Sequence, residues 1–255
     1  MKKLASLLLG LFPRPLLIRL SLFLRPLLYL FFKGNKYFDP IDGKSYRTFL
    51  PYGYNKARSK VLSPGTLSLE RHRQMWLYLQ RETDFFTGKY KVLHMAPEQA
   101  FFKRFKKLKN LEYVTADLYS PIVDVQANIL DLPFADESFD IVFCNHVLEH
   151  IVEDHKAMTE LYRVLKPGGW GILQVPMKKS LETSYEDFTI TDPKERQKHF
   201  GQYDHVRWYG MDYFERLKKV GFQVEALEYS KNFSQEEILK MGLNREELLP
   251  IVRKN

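Results

Sequence analysis

The strand–turn–strand alternation of residues 90–169 restricts this 255-residue chain more than any other feature. An apolar strand, Lys91-Val92-Leu93-His94, runs into a turn, and a second, Glu112-Tyr113-Val114-Thr115-Ala116, ends on Asp117. Leu132-Pro133-Phe134 follows, then the strand Phe139-Asp140-Ile141-Val142-Phe143-Cys144-Asn145. A helix opens near His146-Val147-Leu148-Glu149-His150, and the stop is Leu165-Lys166-Pro167-Gly168-Gly169. Strands alternating with helices predict an α/β fold, a mostly parallel sheet with helices on both faces and ligands at the carboxyl ends of the strands. Asp117 lies 21 residues beyond Ala96 in the first turn, where a carboxylate can take both hydroxyls of a ribose. A nucleoside-containing ligand is the expectation.

Charge separates the chain into unequal parts. Of its 39 Lys and Arg, seven (Lys2, Lys3, Arg14, Arg19, Arg25, Lys33 and Lys36) precede the first acid, Asp39. The remaining residues carry 32 bases against 31 acids, so almost all of the +8 net charge sits in the leader. A nucleic-acid-binding domain spreads basic charge over its folded surface, so no nucleic-acid partner is expected. The single cysteine, Cys144, excludes an internal disulfide and ends an apolar strand, where a buried packing thiol is expected.

The leader, residues 1–36, is rich in Leu, Phe and Ile but broken by prolines and arginines; its longest uncharged stretch is 4–13. That is too short for a spanning helix, which needs about 18–20 apolar residues. No small-residue cleavage site follows the apolar run, which argues against a removed signal. Arginines interspersed with Leu and Phe suit helices lying in the headgroup region, so residues 1–33 are expected to attach the chain peripherally to the inner face of a membrane. The alternative is packing of these helices on protein. Residues 37–88 form a second segment, two turn-rich knuckles (Asp39-Pro40-Ile41-Asp42-Gly43 and Ser63-Pro64-Gly65-Thr66) followed by a helix with the apolar stripe Met75, Trp76, Tyr78 and Leu79. Paired knuckles have the shape of a zinc ribbon. The four ligand positions would be Asp39, Asp42, Ser63 and Thr66, with no thiolate or imidazole, so no zinc is predicted. Ser68 is the expected helix cap, His72 a surface or capping histidine, and Gly88-Lys89 the boundary to the main domain, 89–255.

With these pieces in order, the chain resembles the S-adenosylmethionine-dependent methyltransferases of the Rossmann-like type. The resemblance rests on Leu132-Pro133-Phe134, Ser138-Phe139-Asp140, Val147-Leu148-Glu149-His150 and Leu165-Lys166-Pro167-Gly168-Gly169, spaced as in that family over roughly residues 85–230. The knuckled segment looks like the ribbon prefix of some relatives with its cysteines lost. The resemblance implies S-adenosyl-L-methionine as cofactor, with Asp117 and Leu118 at the ribose, Asn128, Ile129 and Asp131 along the adenine, and Asn145 and His146 at the methionine end. The first turn departs from the pattern. Where the family has an acid followed by Gly-x-Gly-x-Gly, this chain has His94-Met95-Ala96-Pro97-Glu98-Gln99-Ala100, without a glycine. Glycines there let the backbone approach the ligand. His94 and Ala96 then occupy cofactor positions, and the displaced negative charge is expected at Glu98, facing the cofactor's ammonium.

Methyl transfer displaces a neutral leaving group, so the protein mainly positions the acceptor and supplies a base if the acceptor is weakly acidic. The insertion 176–210, rich in aromatic and titratable residues, is the expected acceptor site. Within it Tyr203, Asp204 and His205 are the candidate catalytic residues, with His205 as base because imidazole titrates near neutral pH. The opposing reading has Asp204 and His205 pinning a lid. A small-molecule or lipid-linked acceptor follows from the leader, and a catalytically silent binding protein on the same fold is the alternative. A nicotinamide oxidoreductase would place its pyrophosphate against Pro97-Glu98, where a carboxylate repels it. After a helix at 212–220, residues 221–227 and 248–252 are expected to close the sheet, with Pro250 confining the last strand to an edge or an irregular stretch.

Overall fold

The computed structural model describes residues 29–53 and 57–255. The expectation that residues 1–33 form membrane-interfacial helices falls almost wholly outside them. Among the described residues, no helix is long and apolar enough to cross a membrane.

After helical residues 29–32 come two short hairpins, β1 (Lys33–Asp39) with β2 (Lys44–Tyr46), and β3 (Leu50–Tyr52) with β4 (Arg58–Leu62). Helix α1 (Glu70–Arg81) follows, then β5 (Tyr90–Met95), the single turn α2 (Phe102–Phe105), β6 (Leu111–Asp117), β7 (Val125–Gln126) and β8 (Phe139–Cys144). A 3-10 turn over Leu148–His150 leads to α3 (Asp154–Val164) and β9 (Leu165–Ile172). The insertion carries β10 (Tyr185–Glu186), α4 (Pro193–Phe200) and β11 (Arg207–Trp208). The chain closes with α5 (Tyr213–Val220), β12 (Gln223–Leu227), α6 (Gln235–Met241) and β13 (Leu249–Arg253).

Seven strands form one sheet in the order β12-β13-β9-β8-β5-β6-β7, parallel from β9 to β7 and antiparallel at β13. This is the Rossmann-like arrangement expected of the methyltransferase type. Successive residues of its central strands enter opposite layers, as the two-residue strand period demands. Leu93, Val142 and Cys144 pack with Met158 and Leu161 of α3 and Leu217 of α5. Val92, Ile141 and Phe143 pack with Met75, Leu77 and Leu79 of α1, Phe105, and Ile238 and Met241 of α6. Fully burying a Leu or Phe side chain contributes about 1.5–3 kcal/mol relative to exposure, so both layers are needed.

Several local expectations change. Helix α1, which precedes the expected boundary at Gly88-Lys89, packs into the sheet's own core through Met75, Leu77 and Leu79. Its buried Arg73 donates to the main-chain oxygens of Val61, Ser68, Met241 and Gly242, tying the prefix to the C-terminal helix. The helix cap is Leu69, not Ser68: His72 Nδ1 accepts from Leu69 N at 3.0 Å, and Ser68 Oγ donates to Asp39 at 3.1 Å. His72 is therefore capping but buried rather than at the surface. The two knuckles meet through the Thr66 hydroxyl, which donates to Asp39, while Asp42 accepts from the Tyr46 hydroxyl of β2.

Residues 165–169 do not stop the chain; they open β9. Gly168 turns it with φ +76°, and a Cβ on Gly169 would sit 2.9 Å from the Asp140 carbonyl, closer than real Cβ atoms come. Asp140 joins three strands, accepting from Lys91 N and Lys166 Nζ at 2.7 Å each. Nor does β13 lie at an edge, since it sits between β12 and β9. Pro250 is tolerated because pairing with β9 begins only at Ile251.

Candidate active site

The order in which the strands are laid down reverses between β5 and β8: β6 and β7 are added on one side of β5, and β8 and β9 on the other, all five strands parallel. Crevices at such a reversal, beyond the carboxyl ends of the strands, are the ligand sites of parallel sheets. Three segments leave the adjacent strands β6, β5 and β8 here: Asp117-Leu118, Ala96-Pro97-Glu98 and Asn145-His146.

Ala96 and His146 adopt left-handed backbone, φ +44° and +56°. For non-glycine residues this is uncommon, and it turns each chain sharply off its strand. Ala96 N donates to Ala116 O at 2.8 Å and His146 N to Gln174 O at 2.7 Å, holding both bends. An alanine here does the work expected of a glycine.

His94 does not face the crevice. Its ring is fully buried beneath the turn, with Nδ1 2.8 Å from the Tyr113 hydroxyl and Nε2 2.7 Å from Glu98 Oε2. Direct cofactor contact by that side chain is corrected to a role in holding Glu98. Burial raises the Glu98 carboxyl, but the His94 hydrogen bond and the charges of His94 and His72 outweigh it and bring its pKa down to about 2. Glu98 Oε2 is thus spent, while Oε1 is buried without a hydrogen-bond partner, 3.9 Å from His72 Nε2. Burial keeps His72 well below the ordinary imidazole range.

Asp117 Oδ1 accepts from Tyr119 N and Ser120 N at 2.8 and 2.6 Å, shaping the turn after β6, and Leu118 is exposed. Asn128 and Asp131 are exposed and form an isolated bridge, whereas Ile129 is turned into the core, so its side chain does not lie along an adenine. Asn145 is likewise committed inward: its side chain accepts from Gln174 N and donates to Met75 Sδ. Of that pair only His146 reaches the cavity.

That cavity, of about 770 Å³, lies between the strand ends and the insertion. Its walls include Arg58, Arg71, His146, Glu149, His150, Met177, Lys179, His205 and Trp208. The insertion is a structured lid, because β10 pairs with β11 and α4 is capped by Asp192 and ended by Gly201 at φ +85°. Arg207 fastens it. Its guanidinium is 1% exposed and donates to Glu186 and to the carbonyls of Leu148, Ile151 and Val152.

His205 is buried with Nδ1 3.2 Å from Phe200 O, and burial lowers its pKa. Tyr203, 54% exposed, does not line the cavity, so its proposed contact with an acceptor is corrected; Asp204 instead meets His150 Nδ1 with its carbonyl at 3.2 Å and its carboxylate at 3.6 Å. Glu149 was not among the site residues expected from sequence, nor was Arg71. Glu149 is 1% exposed and pairs with His146 Nδ1 at 3.2 Å. Burial raises its carboxyl, yet the hydrogen bond and charge of His146, with the charge of His150, hold it below the usual range. One ligating atom each of Glu149, His150 and His205 lies within 4.8 Å of the other two, so these three could hold a metal ion. For Glu149 and His150 the sequence signal is the Val147-Leu148-Glu149-His150 motif itself, and His205 is the base candidate already read from the insertion.

Residues 80–173 match the family model described as a methyltransferase domain, so the resemblance read from the motifs holds. The ubiquinone/menaquinone biosynthesis C-methyltransferase UbiE of Haemophilus ducreyi is 46% identical over 63 residues, 25% of this chain and 22% of that protein. Its counterpart in Klebsiella pneumoniae strain 342 is 42% identical over 88 residues, 33% of each chain. The chain therefore spans a third or less of these relatives. Among solved structures, the 1,6-didemethyltoxoflavin-N1-methyltransferase of Burkholderia thailandensis is 14% identical, with a TM-score of 0.48 over 73% of this chain and 78% of that one.

Proposed function

Because residues 80–173 carry a methyltransferase domain of the S-adenosylmethionine-dependent, Rossmann-like kind, we propose that the whole chain transfers a methyl group from S-adenosyl-L-methionine to a small-molecule or lipid-linked acceptor seated under the lid. The observation that carries this reading is the cavity, which joins the His146 bend at one end to the aromatic and titratable wall of the insertion at the other. Asp117 Oδ2, not used by its own turn, would take the ribose hydroxyls. Glu98 Oε1, buried without a partner, would accept from the cofactor ammonium, and Arg71, whose Nε is likewise unpartnered, would meet the carboxylate.

The cofactor supplies an electrophilic methyl on a positively charged sulfur. The protein's part is to exclude water, orient the acceptor and remove its proton. Glu149, His150 and His205 supply the polar wall at which that proton is lost, with Met177 and Trp208 beside them for an apolar acceptor body. The ubiquinone/menaquinone biosynthesis enzymes among the partial relatives support an apolar acceptor here, and residues 1–33 would bring the chain to the membrane that holds it.

Calorimetry with S-adenosylhomocysteine tests the cofactor half: wild type releases heat, and Asp117→Ala and Glu98→Ala weaken it. Absence of heat with wild type refutes the enzyme and leaves a silent binding protein on the same fold. Transfer of labelled methyl to an organic-extractable fraction tests the acceptor class; label confined to the aqueous fraction removes the lipid-linked reading.

A further inference from the structure

We infer that Glu149, His150 and His205 bind a divalent transition-metal ion, and that the ion receives the acceptor as an oxygen ligand. The inference deepens the methyltransferase reading and rests on it for the second clause only.

The first support is geometric. One ligating atom from each residue lies within 4.8 Å of the other two, and the two imidazoles meet edge to face with centroids 4.8 Å apart. All three side chains line the cavity, so the ion's remaining positions would open onto the place where an acceptor enters.

The second support is the orientation of each group. Imidazoles that ligate metals donate their other ring N–H to a carbonyl or carboxylate, which fixes the tautomer and leaves the far nitrogen bare. His205 Nδ1 faces Phe200 O at 3.2 Å, and His150 Nδ1 faces Asp204 O at 3.2 Å. Both rings therefore present Nε2. Glu149 is turned the same way, one oxygen held by His146 Nδ1 and the other free.

The third support is the pair of groups left without partners. His205 Nε2 and Glu149 Oε2 are buried in residues that are each 1% exposed, and neither has a hydrogen bond. A buried acceptor left unsatisfied carries its full desolvation cost, more when charged. A cation satisfies both at once. A lid merely pinned by histidines would spend these atoms on protein donors.

The turn that carries two of the three residues is also rigidly held. Arg207 donates to the carbonyls of Leu148 and Ile151 on either side, and Val206 N donates to Glu149 O at 3.0 Å. Pinning Val206 to Glu149 brings the neighbouring His205 to its two partners.

Two imidazoles and one carboxylate suit zinc, manganese(II) or iron(II), and suit magnesium or calcium poorly, since those prefer oxygen ligands throughout. With three protein ligands, at least one position stays open, and a ligated hydroxyl becomes acidic near neutral pH. The acceptor hydroxyl then gives its proton to solvent. Its oxygen attacks the methyl carbon, the O–C bond forming as the S–C bond breaks, and sulfur keeps the bonding pair as neutral S-adenosylhomocysteine. The substrate class that follows is an alcohol or phenol.

The full-length protein, freed of metal by chelation, is titrated with zinc against a chromophoric competitor, with magnesium as control. We expect one equivalent of zinc to bind, and Glu149→Gln and His150→Ala each to weaken it by more than the roughly 10- to 100-fold typical of losing a residue that only orients a ligand, while magnesium does not compete. S-adenosylhomocysteine calorimetry on the same variants reports folding: retained heat with lost zinc supports the site. Failure of wild type to bind stoichiometric zinc, or equal affinity in the Glu149→Gln/His150→Ala double variant, overturns it. Zinc bound without S-adenosylhomocysteine binding would instead leave the metal site standing and remove the methyltransferase reading. For the substrate clause, zinc-dependent methylation of an alcohol or phenol supports oxygen ligation, and methylation unchanged by zinc removal overturns it.

Discussion

Replacing Arg207 with Met should loosen the lid and the catalytic turn together. The side chain is 1% exposed and donates to three main-chain carbonyls, those of Leu148, Ile151 and Val152, and to the Glu186 carboxylate. Methionine fills much of the volume but donates nothing. Leaving a buried acceptor unsatisfied costs about 1–3 kcal/mol, and breaking a buried ion pair by removing one partner costs about 3–5 kcal/mol. Arg216 softens the loss, because it already reaches Glu186 at 3.2 Å and Asp154 at 3.1 Å and keeps both carboxylates paired. The carbonyls have no such substitute. We therefore expect Arg207→Met to destabilise the protein by about 3–5 kcal/mol in urea unfolding, with the slope of the transition unchanged. Arg207→Lys, which keeps the charge but loses the planar fork, should fall between. In the folded variant the effect should concentrate on acceptor turnover, because Leu148 and Ile151 flank the Glu149-His150 turn, while S-adenosylhomocysteine affinity stays near wild type. Destabilisation below about 1 kcal/mol, the scale of a single ordinary hydrogen bond, would refute the argument that this guanidinium holds the lid.

Asp117→Ala should weaken S-adenosylhomocysteine at least about tenfold, the scale of a hydrogen bond to a charged group; calorimetry that finds equal affinities removes the ribose role. Glu98 is depressed in the folded protein from 4.5 to about 2, so it contributes stability fully present above pH 4.5 and lost as pH falls toward 2. Glu98→Gln should accordingly flatten the stability profile across that acid window in circular dichroism, and an unchanged profile contradicts the His94 pairing. Cys144 is fully buried and burial pushes its thiol well up, so maleimide labelling should be slow in the native protein and rapid in urea. Fast native labelling would mean that the β8 end is open.

How much of this was legible in the residue order depends on range along the chain. The central strands announced themselves because their apolar runs are continuous, and strands buried on both faces need no polar alternation. The β13 assignment followed from Leu248-Leu249-Pro250-Ile251-Val252, but its internal position did not: strand neighbours are chosen by three-dimensional packing, and one proline reports only where a donor is missing. The internal structure of the insertion has no sequence signature, since α4 and the two-residue strands β10 and β11 are too short for periodicity to register. Side-chain direction within a lid has no signature in sequence, so nothing in the residue order shows that Tyr203 lies outside the cavity and Glu149 lines it.

The residue order alone determined the strand–helix alternation, the mostly parallel sheet and the family resemblance, because turn chemistry and hydrophobic period act between residues a few positions apart. Only the tertiary structure decided that His94 faces Glu98 from below, that Arg73 and Arg207 clamp distant segments, and that His205 comes to rest beside Glu149 and His150. Those contacts close long loops, and their geometry depends on how whole layers settle against the sheet rather than on any local preference of the chain.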